Sequence, residues 1–101
     1  MISLEQAQEK AELLAKGCLQ NLVRKHPARW LREEFLTAEN CWLFLKSNDI
    51  EFLDGCAESG DMAFVISTKG TAMSVADHQD NQDALREYLI KVSDYLKRRG
   101  E

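Results

Sequence analysis

The chain of 101 residues holds five thiol and imidazole side chains, the groups readiest to act as nucleophile or base near neutral pH: Cys18, Cys41, Cys56, His26 and His78. A cysteine nucleophile needs a base held within hydrogen-bond reach. Cys41 opens the most apolar run of the chain, Cys41-Trp42-Leu43-Phe44-Leu45, where a thiol serves as a small buried hydrophobe. Cys56 has Asp54 and Glu58 as neighbours, and nearby acids raise a thiol's pKa and blunt it. The cysteines are odd in number and none forms a C-x-x-C pair, so no disulfide framework is expected. Free thiols suit a reducing compartment. The histidines lie far apart, no H-x-x-x-H spacing occurs, and no metal site or other cofactor is expected.

Carboxylates are more abundant and more unevenly placed. From Glu33 to Asp61 stand Glu33, Glu34, Glu39, Asp49, Glu51, Asp54, Glu58 and Asp61, against the single base Lys46. That segment carries a formal −7, beside +3 over residues 1–32 and 0 over residues 62–101. General acid–base work needs one carboxylate desolvated. These acids stand among Gly, Ser and Asn, where solvation is expected, so no enzyme is expected. No Gly-rich phosphate loop occurs, and acids surround Gly55 to Gly60. The stretch Arg24-Lys25-His26-Pro27-Ala28-Arg29-Trp30-Leu31-Arg32 is basic and holds an aromatic, as nucleic-acid patches do. The adjoining −7 would repel phosphate, so no nucleic-acid partner is expected. Charge segregation acts on partners and association rates, not on the choice of fold. The acid block therefore reads either as a docking face for something basic or as a solvated surface that keeps the chain soluble.

The elements that must position these residues fit one domain, residues 1–101. Pro27 is the only proline, and no repeat or low-complexity tract appears. No apolar run is long enough to cross a bilayer, and the N-terminus lacks a signal-peptide pattern. A cytoplasmic protein without membrane contact is the expectation. Ser3 and Gln6 make a capping box. Leu4, Ala7, Ala11, Leu14, Ala15, Cys18 and Leu22 then recur at helical steps, which predicts a helix that Pro27 stops. Leu31 to Leu36 and Cys41 to Lys46 read as strands around a Thr37–Asn40 turn. Ser47 to Gly60 reads as either a loop or a short strand. Ala63–Ile66 and Ala72–Val75 flank a turn in which Gly70 takes the left-handed position. A last helix starts at Asp80 or Asn81, carries the stripe Leu85, Tyr88, Leu89, Val92 and Leu96, and closes at Gly100.

The fold class is therefore α+β: an N-terminal helix, a three- to four-stranded antiparallel meander and a C-terminal helix, with one or both helices on a single face. Leu14, Cys18, Trp42, Phe44, Phe64, Ile66, Leu85, Leu89 and Val92 are expected to be largely buried in one cluster.

Two stretches carry a family likeness. One is Cys41-Trp42-Leu43-Phe44. The other runs from Gly60-Asp61-Met62-Ala63-Phe64-Val65-Ile66 through Lys69-Gly70 to Leu85-Arg86-Glu87-Tyr88-Leu89. Their order resembles the small bacterial immunity proteins of the YrhB type, which protect cells from polymorphic toxins; Ala63 stands where a proline is common in that group. The resemblance implies stoichiometric occlusion of a cognate basic toxin, without turnover. Glu39, Asp49, Glu51, Asp54, Glu58 and Asp61 would then steer the encounter. Trp30, Trp42 or Phe52 would anchor the complex, and Trp42 leaves that set if the sheet buries it. The alternative is a small acidic secretion chaperone for an effector protein. Its mark would be an exposed apolar strand or helix face suited to a homodimer, though immunity proteins also dimerise.

Overall fold

The computed structural model describes residues 1–47, 50–55, 62–76 and 82–100. The elements are α1 (Leu4–Leu19), β1 (Leu31–Thr37), β2 (Cys41–Lys46), β3 (Met62–Ser67), β4 (Ala72–Ala76) and α2 (Gln82–Arg99). The strands form one antiparallel sheet in the order β1-β2-β3-β4. This is the expected α+β order, with all four strands present.

Helix α1 begins as its residues require. The Gln6 amide donates to Ser3 Oγ at 3.2 Å, and the Ser3 amide donates to Gln6 Oε1 at 2.9 Å. Its end differs from the expectation, for α1 stops at Leu19, well before Pro27. Strand-like pairing takes the backbone beyond it. Val23 bridges Phe52, the Arg24 amide donates to Glu51 O at 2.9 Å, and the Leu53 amide donates to Leu22 O at 2.8 Å. Asn21 and β-branched Val23 are weak helix formers, so long-range pairing outweighs another helical turn. Among the described residues of Ser47 to Gly60, which reads as either a loop or a short strand, Phe52 pairs by a bridge to Val23.

The helices cover opposite faces of the sheet, not one face. The period of two along β2 and β3 explains this. Phe44, Phe64 and Ile66 point to α1 and pack with Ala7, Ala11, Ala15 and Leu19. Cys41, Leu43, Leu45, Ala63 and Val65 point to the other side and pack with Leu85, Leu89, Val92 and Leu96 of α2. Central strands apolar on both faces need a cover on each. The expected single cluster is therefore two. Leu14, Cys18 and Trp42 join the first only as partly buried neighbours, because alanines occupy the middle of the α1 stripe. Those alanines let α1 lie close to the strands, whereas the leucines of α2 hold it further off.

The β3–β4 turn follows its glycine. Gly70 has φ 98°, its amide donates to Ser67 O at 2.9 Å, and the Ser67 amide donates to Thr71 O at 2.8 Å. Gly100 closes α2 with φ 73°. The proposed caps Asp80 and Asn81 lie outside the described residues.

Leu89 is buried at the centre of the α2 layer. Leu89→Ala should lower stability by roughly 2–5 kcal/mol in a urea unfolding curve. A loss below about half a kilocalorie would mean that α2 does not hold this layer together.

Candidate functional site

The charged residues meet at the end of the sheet where β1 starts and β2 stops. There Leu31 is opposite Lys46, and the Ser47 amide donates to Trp30 O at 2.9 Å. Glu12 of α1 organises this end. Its carboxylate accepts from the Trp30 amide at 3.0 Å and the Leu31 amide at 3.3 Å. Two main-chain donors at the start of a strand are thus satisfied by one helix side chain, which holds the loop 20–30 against α1.

Around that joint, acids and bases alternate. Arg29 lies 3.9 Å from Glu12 and 3.8 Å from Glu33. Arg24 pairs with Asp54, and its Nε donates to Phe52 O at 3.3 Å. Arg32 Nε donates to Lys46 O at 2.9 Å, and the Lys46 ammonium sits 5.6 Å from the centre of the Phe52 ring. Between the pairs Leu31–Lys46 and Phe35–Phe44, β1 sets Arg32, Glu33 and Glu34 against Leu45 alone. This bulge bends the strand and leaves both glutamates exposed. A cleft of about 740 Å³ opens beside it, lined by Lys25, His26, Arg29, Arg32, Glu33 and Glu34.

The expected acid face is divided. Glu39 sits in the β1–β2 turn, 3.7 Å from Lys97 of α2. It lies at the far end of β2 from Lys46 and Phe52, roughly 17 Å away at a strand's rise per residue. Glu51 and Asp54 are exposed at the charged end. Asp49, Glu58 and Asp61 lie outside the described residues, as do Cys56 and His78. Trp30, expected as an anchor for a partner, is only 7% exposed and belongs to the α1 core. The His26 ring meets it in a T-shaped arrangement at a centroid distance of 5.5 Å. A large apolar ring beside a helix face gains more from the core than from solvent. Trp42 and Phe52 are half-buried.

Glu12 is the residue that sequence reasoning passed over. Its place among the charged positions of an amphipathic helix carries no mark of long-range capping. Arg24 and Arg29 are likewise indistinguishable in sequence from bases at a helix end.

The Cys41 thiol is a poor nucleophile by position. Cys18 and Cys41 are free. Burial pushes the Cys41 thiol up from 9.0 to about 11, and the Ser93 hydroxyl draws it part of the way back. Ser93 is buried in α2, and its Oγ also accepts from the Asn40 amide at 2.9 Å. The pair ties the β1–β2 turn to α2. Among the described residues, no three His, Cys, Asp or Glu side chains cluster as metal ligands, and no helix is long and apolar enough to cross a membrane. No family model, curated protein or solved structure matches this chain.

Glu12→Ala should cost roughly 1–3 kcal/mol, because it strips acceptors from two partly buried amides. Chemical denaturation measures this, and an unchanged midpoint would show that the loop is held by other contacts.

The raised Cys41 pKa has a signed consequence. The folded state keeps the thiol protonated where the unfolded chain releases it. That contribution is complete below about pH 9 and is lost as pH rises through about 11. Its full size is roughly 2–3 kcal/mol by linkage. Cys41→Ala should flatten stability between those pH values in unfolding curves. An equally steep decline in the variant would assign the loss to another group.

Proposed function

We propose that this chain is a non-catalytic binding protein that neutralises a basic partner protein by occlusion, as the small bacterial immunity proteins it resembles do. The charged end of the sheet is its docking face. One observation carries the reading: Glu34 and Glu51 are exposed there and have no ion pair among the described residues. Of the nearby bases, Arg24 pairs with Asp54 and Arg29 lies beside Glu12 and Glu33, while Lys25 and Arg32 line the same cleft as Glu34 without closing an ion pair to it. A lysine or arginine from a partner therefore meets two carboxylates that no base of the chain holds in an ion pair among the described residues. The fixed alternation of charges favours specificity for a matching surface, since like-charge contacts disfavour wrong partners. Free Cys18 and Cys41 agree with a reducing, cytoplasmic setting. One feature, the uncharged edge strand β4, favours a second function, a small acidic secretion chaperone for an effector protein.

The test begins with capture of the product of the neighbouring gene, followed by surface-based kinetics at two salt concentrations. Reversing Glu34 and Glu51 together to lysine should slow association by about tenfold at low salt, and high salt should shrink the difference. Glu39→Lys, at the far end, should leave the rate unchanged. A rate that responds to Glu39 and ignores Glu34 and Glu51 would move docking away from the charged end. A partner that retains full activity in the complex would end the neutralisation reading.

A further inference from the structure

The two edges of the sheet are built differently. β1 carries a bulge and the charged run Arg32, Glu33 and Glu34, devices that keep other strands from pairing with it. β4 has neither. Its sequence, Ala72-Met73-Ser74-Val75-Ala76, has no charge, proline or glycine. Its register with β3 runs unbroken from Met62–Ala76 to Ile66–Ala72.

The hydrogen-bond phase of β4 follows from the turn. Ser67 and Thr71 form a bonded pair, with the Ser67 amide donating to Thr71 O. In an antiparallel ladder bonded and non-bonded pairs alternate. Met73 and Val75 therefore bond to β3, while the N–H and C=O groups of Ala72, Ser74 and Ala76 point outward. None of these outward groups has a hydrogen-bond partner among the described residues.

We infer that the chain forms a two-fold dimer through antiparallel pairing of β4 with β4 of a second copy. This joins two four-stranded sheets into one. Setting Ser74 opposite Ser74, and Ala72 opposite Ala76, brings outward groups onto outward groups along the whole strand. A two-fold axis sets like residues near like, so a charged strand would repel itself. β4 carries no charge to do so.

The layers leave room for this pairing. α1 runs closest to β3, so the two copies of α1 would lie about three strand spacings apart, roughly 14 Å. Packed helices need only about 8–10 Å. On the other face, Ser93 and Lys97 turn one flank of α2 toward the β1–β2 turn. The step of the helix sets Tyr88 and Tyr95 on the opposite flank, the one nearer β4. Tyr95 carries the Arg99 guanidinium 5.5 Å from its ring centre, while half-buried Tyr88, Met73 and Val75 border the α2 core layer and leave an apolar margin there. A second copy would cover this apolar margin. The inference is independent of what docks at the charged end, which lies beside β1 at the opposite edge of the sheet.

Sedimentation equilibrium across micromolar to millimolar concentrations, with hydrogen exchange on the same samples, tests it. The expected result is a dimer in which the Ala72, Ser74 and Ala76 amides become protected as concentration rises. Ser74→Lys should weaken the dimer by about tenfold or more, and mixing it with Ser74→Glu should restore association. Ser74 is exposed, so either variant leaves both cores untouched. A chain that stays monomeric throughout overturns the inference. So does a dimer that Ser74→Lys does not weaken. If the lysine variant unfolds, the wild-type exchange decides alone: unprotected β4 amides at dimeric concentrations overturn the inference, and protected ones uphold it.

Discussion

Everything in this fold depends on the pairing of β2 with β3, two strands apolar on both faces. Cys41, Leu43, Leu45, Ala63 and Val65 cannot be left in water once Phe44, Phe64 and Ile66 are buried against α1. A sheet with one apolar face needs one helix; this sheet needs two. The consequence is a three-layer domain in which neither helix touches the other's core. The layers differ in spacing because their contact residues differ in size. Alanines draw α1 down onto the strands, and leucines hold α2 off.

Polar side chains then pin the periphery to these layers, one on each side. On the α1 side, Glu12 accepts the Trp30 and Leu31 amides and fixes where β1 starts. On the α2 side, buried Ser93 accepts the Asn40 amide and fixes the turn between β1 and β2. The two joints sit at opposite ends of β1. Between them the strand has more residues than its partner can match, and the excess emerges as the bulge at Arg32–Glu34. The exposed Glu33 and Glu34 of the candidate docking face are therefore a product of two fixed ends. The salt bridges around them are solvent-exposed and add little stability. Their effect is on which carboxylates stay open to a partner.

The asymmetry of the edges follows from the same arrangement. β1 must accommodate its excess residues and becomes irregular and charged. β4 follows a tight glycine turn, inherits the regular register of β3 and stays flat in charge. One edge is thus suited to contacts between side chains, the other to main-chain pairing.

By itself, the sequence determined the local events. The Ser3–Gln6 cap, the strand Cys41–Lys46, the Gly70 turn and the α2 stripe depend on neighbours within a few residues, and periodicity and turn chemistry read them directly. The apolar start of Cys41–Lys46 also pointed to a central or well-covered strand. Tertiary structure alone decided which helix covered which face, because period-two alternation marks two faces without naming their partners. It ended α1 at Leu19, because the backbone of residues 22–24 gained more from residues 51–53 than from another helical turn. It buried Trp30, which had been expected to anchor a partner. It also divided the described part of the acid block, sending Glu39 to one end of β2 and Glu51 and Asp54 to the other. Charge along a chain is a one-dimensional quantity, and a meander folds adjacent segments to opposite ends of the same strand.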